Sequence, residues 1–420
     1  MALTNGTNLT TLSDILKEYY LGPVAEQLNN EVLLLARLNS RSEDLVGKRA
    51  YVPLHTSRSA GIGARAEAAA LPAAGNQDYD KAVYDLKYLY GRVQVTGPSM
   101  AKTKNEAGAF LQALKSELDG IRNDLQKDLA RQVYGNGTAQ IVQCGTTSAD
   151  TTVVLNTAAG KEAIRKGQLY VGMTIDIGTV ADVDTISGAT ARTITAVDFT
   201  NATIDISGAA VTTSSSHYIT RAGSGVDGAA TANGSRSSEI DGLQRLVSAS
   251  ATYVGEIDAS ANTWWDNKRV TSVGALALDD IQQGLNLVRL EGGTPTVMVT
   301  SMGVQRELYN LLEDQVRYVD PMSYNYAAGF KTLEYAGMPI ISDIDAPYGN
   351  MYVLDESTIK VFSDQDWHFL DSDGQTLRQV SGYDAFEAIM TRYMNLGMTK
   401  RSNQCVLTGI TVDGSADLGI

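Results

Sequence analysis

Two cysteines in 420 residues, Cys144 and Cys405, make no disulfide framework, and with three histidines and no CxxC spacing there is no metal-ligand cluster. No stretch approaches 18 consecutive apolar residues, and no basic residue precedes Lys17, so neither a membrane span nor a secretory signal is expected. Phosphate-cradling loops are missing too. Gly47-Lys48-Arg49 and Gly160-Lys161-Glu162 lack the upstream glycine and the hydroxyl that a P-loop requires. Gly97-Pro98-Ser99-Met100-Ala101 lacks the last glycine of a nucleophile elbow, and its proline suits the strained turn poorly. Asp371-Ser372-Asp373-Gly374 opens like a calcium loop but carries Gly382 where the closing glutamate belongs, so it reads as a hairpin turn. His55, His217 and His368 fall in separate strand segments with no Cys or Ser at motif spacing, and Trp264, Trp265 and Trp367 read as core volume. No catalytic, cofactor-binding or metal residue is assigned.

An excess of basic charge is also missing. The net charge is −14, and it is unevenly placed: residues 1–144 carry 16 Lys+Arg against 15 Asp+Glu, residues 145–235 carry 5 against 8, and residues 236–420 carry 13 against 25. A surface that grips phosphates needs clustered cations to release counterions, so tight DNA binding is not expected. A container for DNA is compatible with this balance, because it gains nothing from holding each phosphate.

What is present reads as building material. The length predicts two or three domains, and a hydrophobic fraction of 43% is globular. Ser13 to Leu21 is a short helical pattern stopped by Gly22-Pro23, resumed from Val24 with Leu28, Val32, Leu35 and Leu38 on one stripe. This amphipathic arm suits its own domain or a neighbouring molecule equally. Arg49 to Ser57 predicts a strand and Tyr79 to Thr96 its longer return. Between them, Ala60 to Asn76 is so rich in Ala and Gly that it can bury little and predicts a loop tip, either a plain surface loop or a flap reaching over an adjacent subunit. Thr103-Lys104-Asn105-Glu106 is a capping box that opens the longest helix, apolar at 107, 111, 114, 118, 121, 125, 129 and 133 and running to Tyr134. From Gly145 to Arg236 proline is absent and short Thr- and Ser-rich strands alternate, which predicts a separate all-β module interrupting a pattern that resumes at Ser238. A helix over 275–291, a strand over 294–301 and a helix from Met302 to Tyr318 then predict a mixed domain, so the fold class is α+β. Ile359 to Phe362, Trp367 to Leu370 and Leu377 to Val380 read as separate strands, and Tyr383 to Leu396 with Asn403 to Thr411 as a long final hairpin.

The run from Gly329 to Ser357, GFKTLEYAGMPIISDIDAPYGNMYVLDES, is a buried β-unit with no chemistry in it: Leu333, Tyr335, Met338, Ile340 and Ile341 flank a turn at Gly337 and Pro339, and Met351 to Leu354 follow a second turn. It resembles the axial domain of tailed-phage major capsid proteins with the Hong Kong 97-type fold. The resemblance implies an N-terminal arm over 1–48, an extended loop over 49–98, and a peripheral domain with its spine helix over 99–144. It further implies an inserted β-rich domain over 145–236, an axial domain over 237–357, a return to the peripheral domain over 358–404, and a C-terminal strand and tail over 405–420.

The implied function is self-assembly, through hexamers and pentamers, into an icosahedral virion shell enclosing double-stranded DNA with weak non-specific contact; no enzyme, cofactor or membrane is involved. Assembly is expected in the host cytoplasm, with a portal and scaffolding as partners and a place left open for a decoration protein. Scaffolding is expected to be a separate protein, since the first amphipathic segment begins by Ser13 and Met1-Ala2 looks like a true start. Some members of that family join a flap lysine to an asparagine of a neighbour beside a buried glutamate. Here Lys81 and Lys87 lie on the flap side, but the acceptor place falls near Ala388 or Ile389 and the glutamate place near Met394, so no covalent mesh is expected. Two rival readings stand: an encapsulin-type bacterial compartment, and a carbohydrate-binding protein or hydrolase centred on the β-module.

Overall fold

The computed structural model describes residues 33–39, 42–44, 47, 49–67, 69–98, 107–179, 189–222, 238–247, 253–313, 333–371 and 377–412. The arm before Leu33, the capping box at 103–106, Ser99 to Ala101, residues 314–332 and Ser372 to Gly374 lie outside the described residues.

Every second residue of a strand faces the same side, so a strand apolar at each position needs cover on both faces. VMVT at 297–300, MYVL at 351–354 and CVL at 405–407 are of this kind, each fully buried. They lie side by side in a six-stranded sheet ordered 268–270, 405–407, 351–354, 297–300, 338–342, 333–335. Val297, Val299, Tyr352, Leu354 and Val406 point into one core, while Met298, Met351, Val353, Cys405 and Leu407 point into another. The sheet is the wall between two cores. The second core is closed by helices Leu278–Leu290 and Met302–Glu313 through Ile281, Leu285, Val288, Val304 and Leu308. The first holds Leu34 and Leu38 of the arm helix Leu33–Asn39, the end of the long helix at Leu129, Val133 and Tyr134, and the indole of Trp265. The expected β-unit is present: Leu333–Tyr335 pairs antiparallel with Met338–Ser342 across a two-residue turn, Ala336 (φ 52°) and Gly337 (φ 79°). Two successive positive φ values are the type I′ geometry that matches strand twist.

The last strand corrects the expected final hairpin. Cys405–Leu407 pairs with Lys268–Val270 and Met351–Leu354, not with the strand before it. A 3₁₀ turn at Arg401–Asn403 diverts the chain, held by the fully buried Arg401, whose Nε donates to Leu246 O at 2.7 Å. The uniformly apolar CVL can be buried in the wall but would be stranded on a hairpin edge.

A second sheet is built on Ala385–Met398, which pairs on one side with Ile359–Phe369 and Arg378–Gln379 and on the other with Lys87–Thr96; Ser42–Asp44 adds a parallel edge. Ile359–Phe369 is one continuous strand where two were expected, interrupted only by register shifts between Ser363 and Gln365 and between Gln365 and His368. The polar stretch SDQDWH carries these bulges and so hides the continuity from sequence. The long helix Ala107–Tyr134, 28 residues and about 42 Å at ~1.5 Å per residue, crosses this sheet at Gly91. A Cβ there would lie 2.6 Å from Leu125 Cδ1 and 2.9 Å from Ile121 Cγ1, so a larger residue would push these helix side chains aside.

Arg49–Ser57 pairs with Asp78–Asp85 in a two-stranded ribbon, from Arg49 opposite Asp85 to Ser57 opposite Asp78. The expected single return strand is divided at Leu86: its first half belongs to the ribbon, its second half to the sheet. Residues 140–222 make a further six-stranded sheet, ordered 140–143, 218–221, 174–178, 192–198, 203–206, 152–154, and a small pair, 147–150 with 211–213. These enclose a core of their own around Val153, Leu155, Ile175, Ile177, Ile194, Ile204 and Ile219. The region is not all-β. Thr157–Arg165 is a helix, capped by Asn156, whose Oδ1 accepts from Ala159 N at 3.3 Å. It packs Ala159, Gly160, Ala163 and Ile164 inward, a stripe of mostly small residues two turns long that was overlooked in a Thr- and Ser-rich stretch. The first strand begins at Gln140, ahead of the expected boundary at Gly145.

Candidate assembly surfaces

The ribbon changes character along its length. Near its base Ala50, Leu54, Ala82, Val83 and Tyr84 are buried, whereas Tyr51 is 57% exposed and Tyr79 72% exposed. Beyond Ser57 and before Asp78 there is no regular strand, yet the two limbs stay together: a Cβ on Gly75 would meet Ala60 N at 2.8 Å and Gly61 N at 3.0 Å. The tip carries Ile62 at 78% and Leu71 at 86% exposure. Large apolar groups so placed, on a ribbon that has no core of its own, make its tip a candidate contact surface.

The second sheet offers another. On the face away from the long helix, Tyr88 and Tyr90 stand beside Tyr393, with ring centroids 5.1 and 6.1 Å away, and His368 meets the same ring at 6.3 Å. Arg92 and Glu387 form an exposed ion pair at its margin.

Residues 140–222 are tied to the rest of the chain by polar latches. Lys166 Nζ bridges Glu162 Oε1 at 2.6 Å and Ala346 O at 2.9 Å, and Tyr348 N donates to Glu162 Oε1 at 3.1 Å. Arg221 reaches Asp128 of the long helix at 3.1 Å, beside the buried Arg131 and Glu239 pair. Burial works against the Arg131 charge, but Glu239 and Asp128 offset it and hold the guanidinium above its ordinary pKa. The turn between Ser342 and Pro347 is a meeting point. Asp343 Oδ2 accepts from Tyr134 Oη at 2.8 Å and Leu34 N at 3.4 Å, and Asp343 Oδ1 accepts from Asp345 N at 3.0 Å. Burial pushes the Asp345 carboxyl up to about 6, against the pull of Lys166 and with the help of Asp343. At the arm, Arg37 forks onto Glu356 at 2.8 and 2.9 Å.

The residues weighed for chemistry are scattered. Cys144 and Cys405 are buried in different cores, and burial pushes both thiols up to about 12. His55 lies in the ribbon, its Nε2 2.5 Å from Gln77 Oε1; His217 Nδ1 caps a turn at Ser214 N; His368 Nδ1 sits 2.9 Å from Asp366 O. Gly160 and Lys161 lie inside a helix, and Gly97 packs against Asp384. Trp265 is buried with its Nε1 donating to Val254 O, Trp264 tilts against it, and Trp367 lies under the Arg392 guanidinium. Lys81 stands on the ribbon, while Ala388 and Met394 are buried in the central strand of the second sheet. Among the described residues no three His, Cys, Asp or Glu side chains gather as a metal site, and no helix is long and apolar enough to cross a membrane. The latch around Asp343 was missed from sequence, because nothing in DIDAP distinguishes a buried acid turn from an exposed one.

No family model and no curated protein matches the chain. Solved structures do. A chain of the cyanophage A-1(L) capsid asymmetric unit is similar along 96% of this chain and 100% of its own, at a TM-score of 0.62 and 14% identity. A chain of the capsid of a native GTA particle is similar along 97% of this chain and 100% of its own, at a TM-score of 0.53 and 10% identity. At these identities the likeness is one of fold: a mixed α and β chain with few helices and many strands.

Proposed function

We propose that this chain is the major capsid protein of a tailed phage and acts by assembling with copies of itself into a closed icosahedral shell. The observation that carries this reading is the fold likeness along almost the whole chain to a cyanophage capsid chain that is itself covered from end to end. A ribbon with uncovered apolar residues and an exposed tyrosine face support it. In this reading the ribbon is the extended loop of a Hong Kong 97-type layout, Ala107–Tyr134 its spine helix and the six-stranded wall its axial domain. Residues 140–222 are the core of an inserted domain on the outer surface of the shell, where 5 basic against 8 acidic residues in 145–235 suit solvent better than a packed genome. Hexamers and pentamers form the shell, with a portal and scaffolding as partners in its assembly, and the virion is its final location. The purified full-length chain should give closed particles in negative-stain micrographs, together with capsomers on gel filtration. A compact monomer that binds glycans would overturn the reading, and particles that retain an enzyme cargo in place of DNA would replace it with the compartment alternative.

A further inference from the structure

The chain is acidic, yet its few cations between residues 145 and 235 are not spread out: Lys161, Arg165 and Lys166 are three of the five. Lys166 is spent on Glu162 and Ala346 O. The other two occupy one helix face, four residues apart, and flank the ring of Phe199, with Lys161 Nζ 5.9 Å and Arg165 Cζ 4.8 Å from its centroid. A guanidinium or ammonium over an aromatic face is held in place without losing its charge, so this is a positioned cationic ledge. Neither adjacent carboxylate neutralises it: Glu162 is engaged with Lys166 Nζ and Tyr348 N, and Asp198, beside Phe199, is turned into its own loop, accepting from Thr200 N at 2.8 Å and from Asn201 Nδ2 at 2.7 Å. The opposite charge pattern lies on the second sheet. The two register shifts in Ile359–Phe369 leave Asp364 and Asp366 outside the ladder and exposed, the Asp366 side chain at 84%; its Oδ1 accepts from Trp367 N at 2.8 Å and lies 3.6 Å from Nη1 of the buried Arg392, the one cation paired with it there among the described residues, while Asp364 stands open beside it. A bulge re-aims side chains away from the sheet it interrupts.

We propose that the Lys161, Arg165 and Phe199 ledge of one copy docks on the Asp364 and Asp366 bulge of a second copy. Two unlike patches on one chain that complement each other make a head-to-tail contact, the kind that closes rings rather than isolated pairs. Nucleic acid is the poorer occupant, because two cations on a net-acidic segment offer few phosphates a seat. The inference rests on the shell reading above and names one of the contacts within that shell.

The test reads the subunit concentration at half-assembly for the full-length chain. Lys161→Glu combined with Arg165→Glu should raise it roughly tenfold, as should Asp364→Lys combined with Asp366→Lys, because like charges then meet. Joining all four substitutions should return it to within about threefold of the parent chain. Thermal melts of the free subunits identify any variant that is merely misfolded; for such a variant the neutral pair Lys161→Gln and Arg165→Gln is used, with an expected rise of about threefold. Either reversal assembling like the parent chain, or the fourfold variant doing no better than the two pairs, overturns the inference. So does a ledge reversal that reduces DNA retention while leaving assembly untouched. If the parent chain forms neither capsomers nor particles, the shell reading fails instead.

Discussion

Two residues sit in conformations or charge states that their surroundings oppose. Asp345 is 6% exposed, with Asp343 beside it and Lys166, Lys127 and Arg131 as the cations that face it. Its pKa of about 6 in the folded chain stands above the ordinary 3.8, so its favourable contribution is complete below about 3.8 and is lost as pH rises through about 6. At pH 7 the crowded carboxylate costs about 3 kcal/mol. Asp345→Asn should therefore stabilise the free subunit by about 1 to 3 kcal/mol at pH 7 and flatten the pH dependence between pH 4 and 7; denaturant melts at pH 5 and 7 would show it, and an unchanged slope would contradict it. Ala336 has a φ of 52° in the type I′ turn, a conformation that asparagine tolerates better than alanine. Ala336→Asn should add up to about 1 kcal/mol, measured in the same melts, and a loss of stability would mean that the turn is held by something other than its own backbone.

At the scale of elements, the ribbon and the 140–222 unit differ in what holds them. The tip from Ala60 to Asn76 has few large apolar groups, and those it has, Ile62 and Leu71, lie open, so contact with a neighbour must supply the burial that orders it. Trypsin has sites at Arg58 and Arg65, and it should cut free subunits there while assembled shells resist; equal cutting in both states would remove the inter-subunit role. The 140–222 unit has its own core and is joined to the rest by the Lys166, Glu162 and Arg221 latches. Replacing it with a short Gly/Ser linker should leave soluble subunits whose particles fail to form or melt earlier, whereas normal assembly with unchanged melting would make it ornament. Much of this was legible in sequence: the ribbon strand Arg49–Ser57, the helix ending at Tyr134 and the β-unit around Gly337 and Pro339 each carry a local signal of alternation, stripe or turn. The partnership of Cys405–Leu407 carried none, because a three-residue apolar strand is compatible with many neighbours and only the buried Arg401 turn selects one. The bulged strand 359–369 was hidden because a polar bulge erases the period by which a strand is read, whereas the helix Thr157–Arg165 keeps its period over only two turns and was outweighed by the strand-like segments around it.

For the whole molecule, joints between copies are expected to be non-covalent. Where a covalent mesh would need an amide acceptor and a carboxylate, the second sheet has the buried hydrocarbon of Ala388 and Met394. Mature particles boiled in detergent should run as single subunits, and a ladder of multimers would refute this. The position of Cys405–Leu407 has a further consequence, one of timing. Lys268–Val270 and Met351–Leu354 emerge from the ribosome well before the strand that belongs between them, so the wall separating the two cores stays open until residue 407 has been made. Pairing of such distant segments is slow, because the loop between them must close before the contact forms. A chain in which Cys405–Leu407 has not yet paired therefore exposes a gap in its central sheet between Lys268–Val270 and Met351–Leu354.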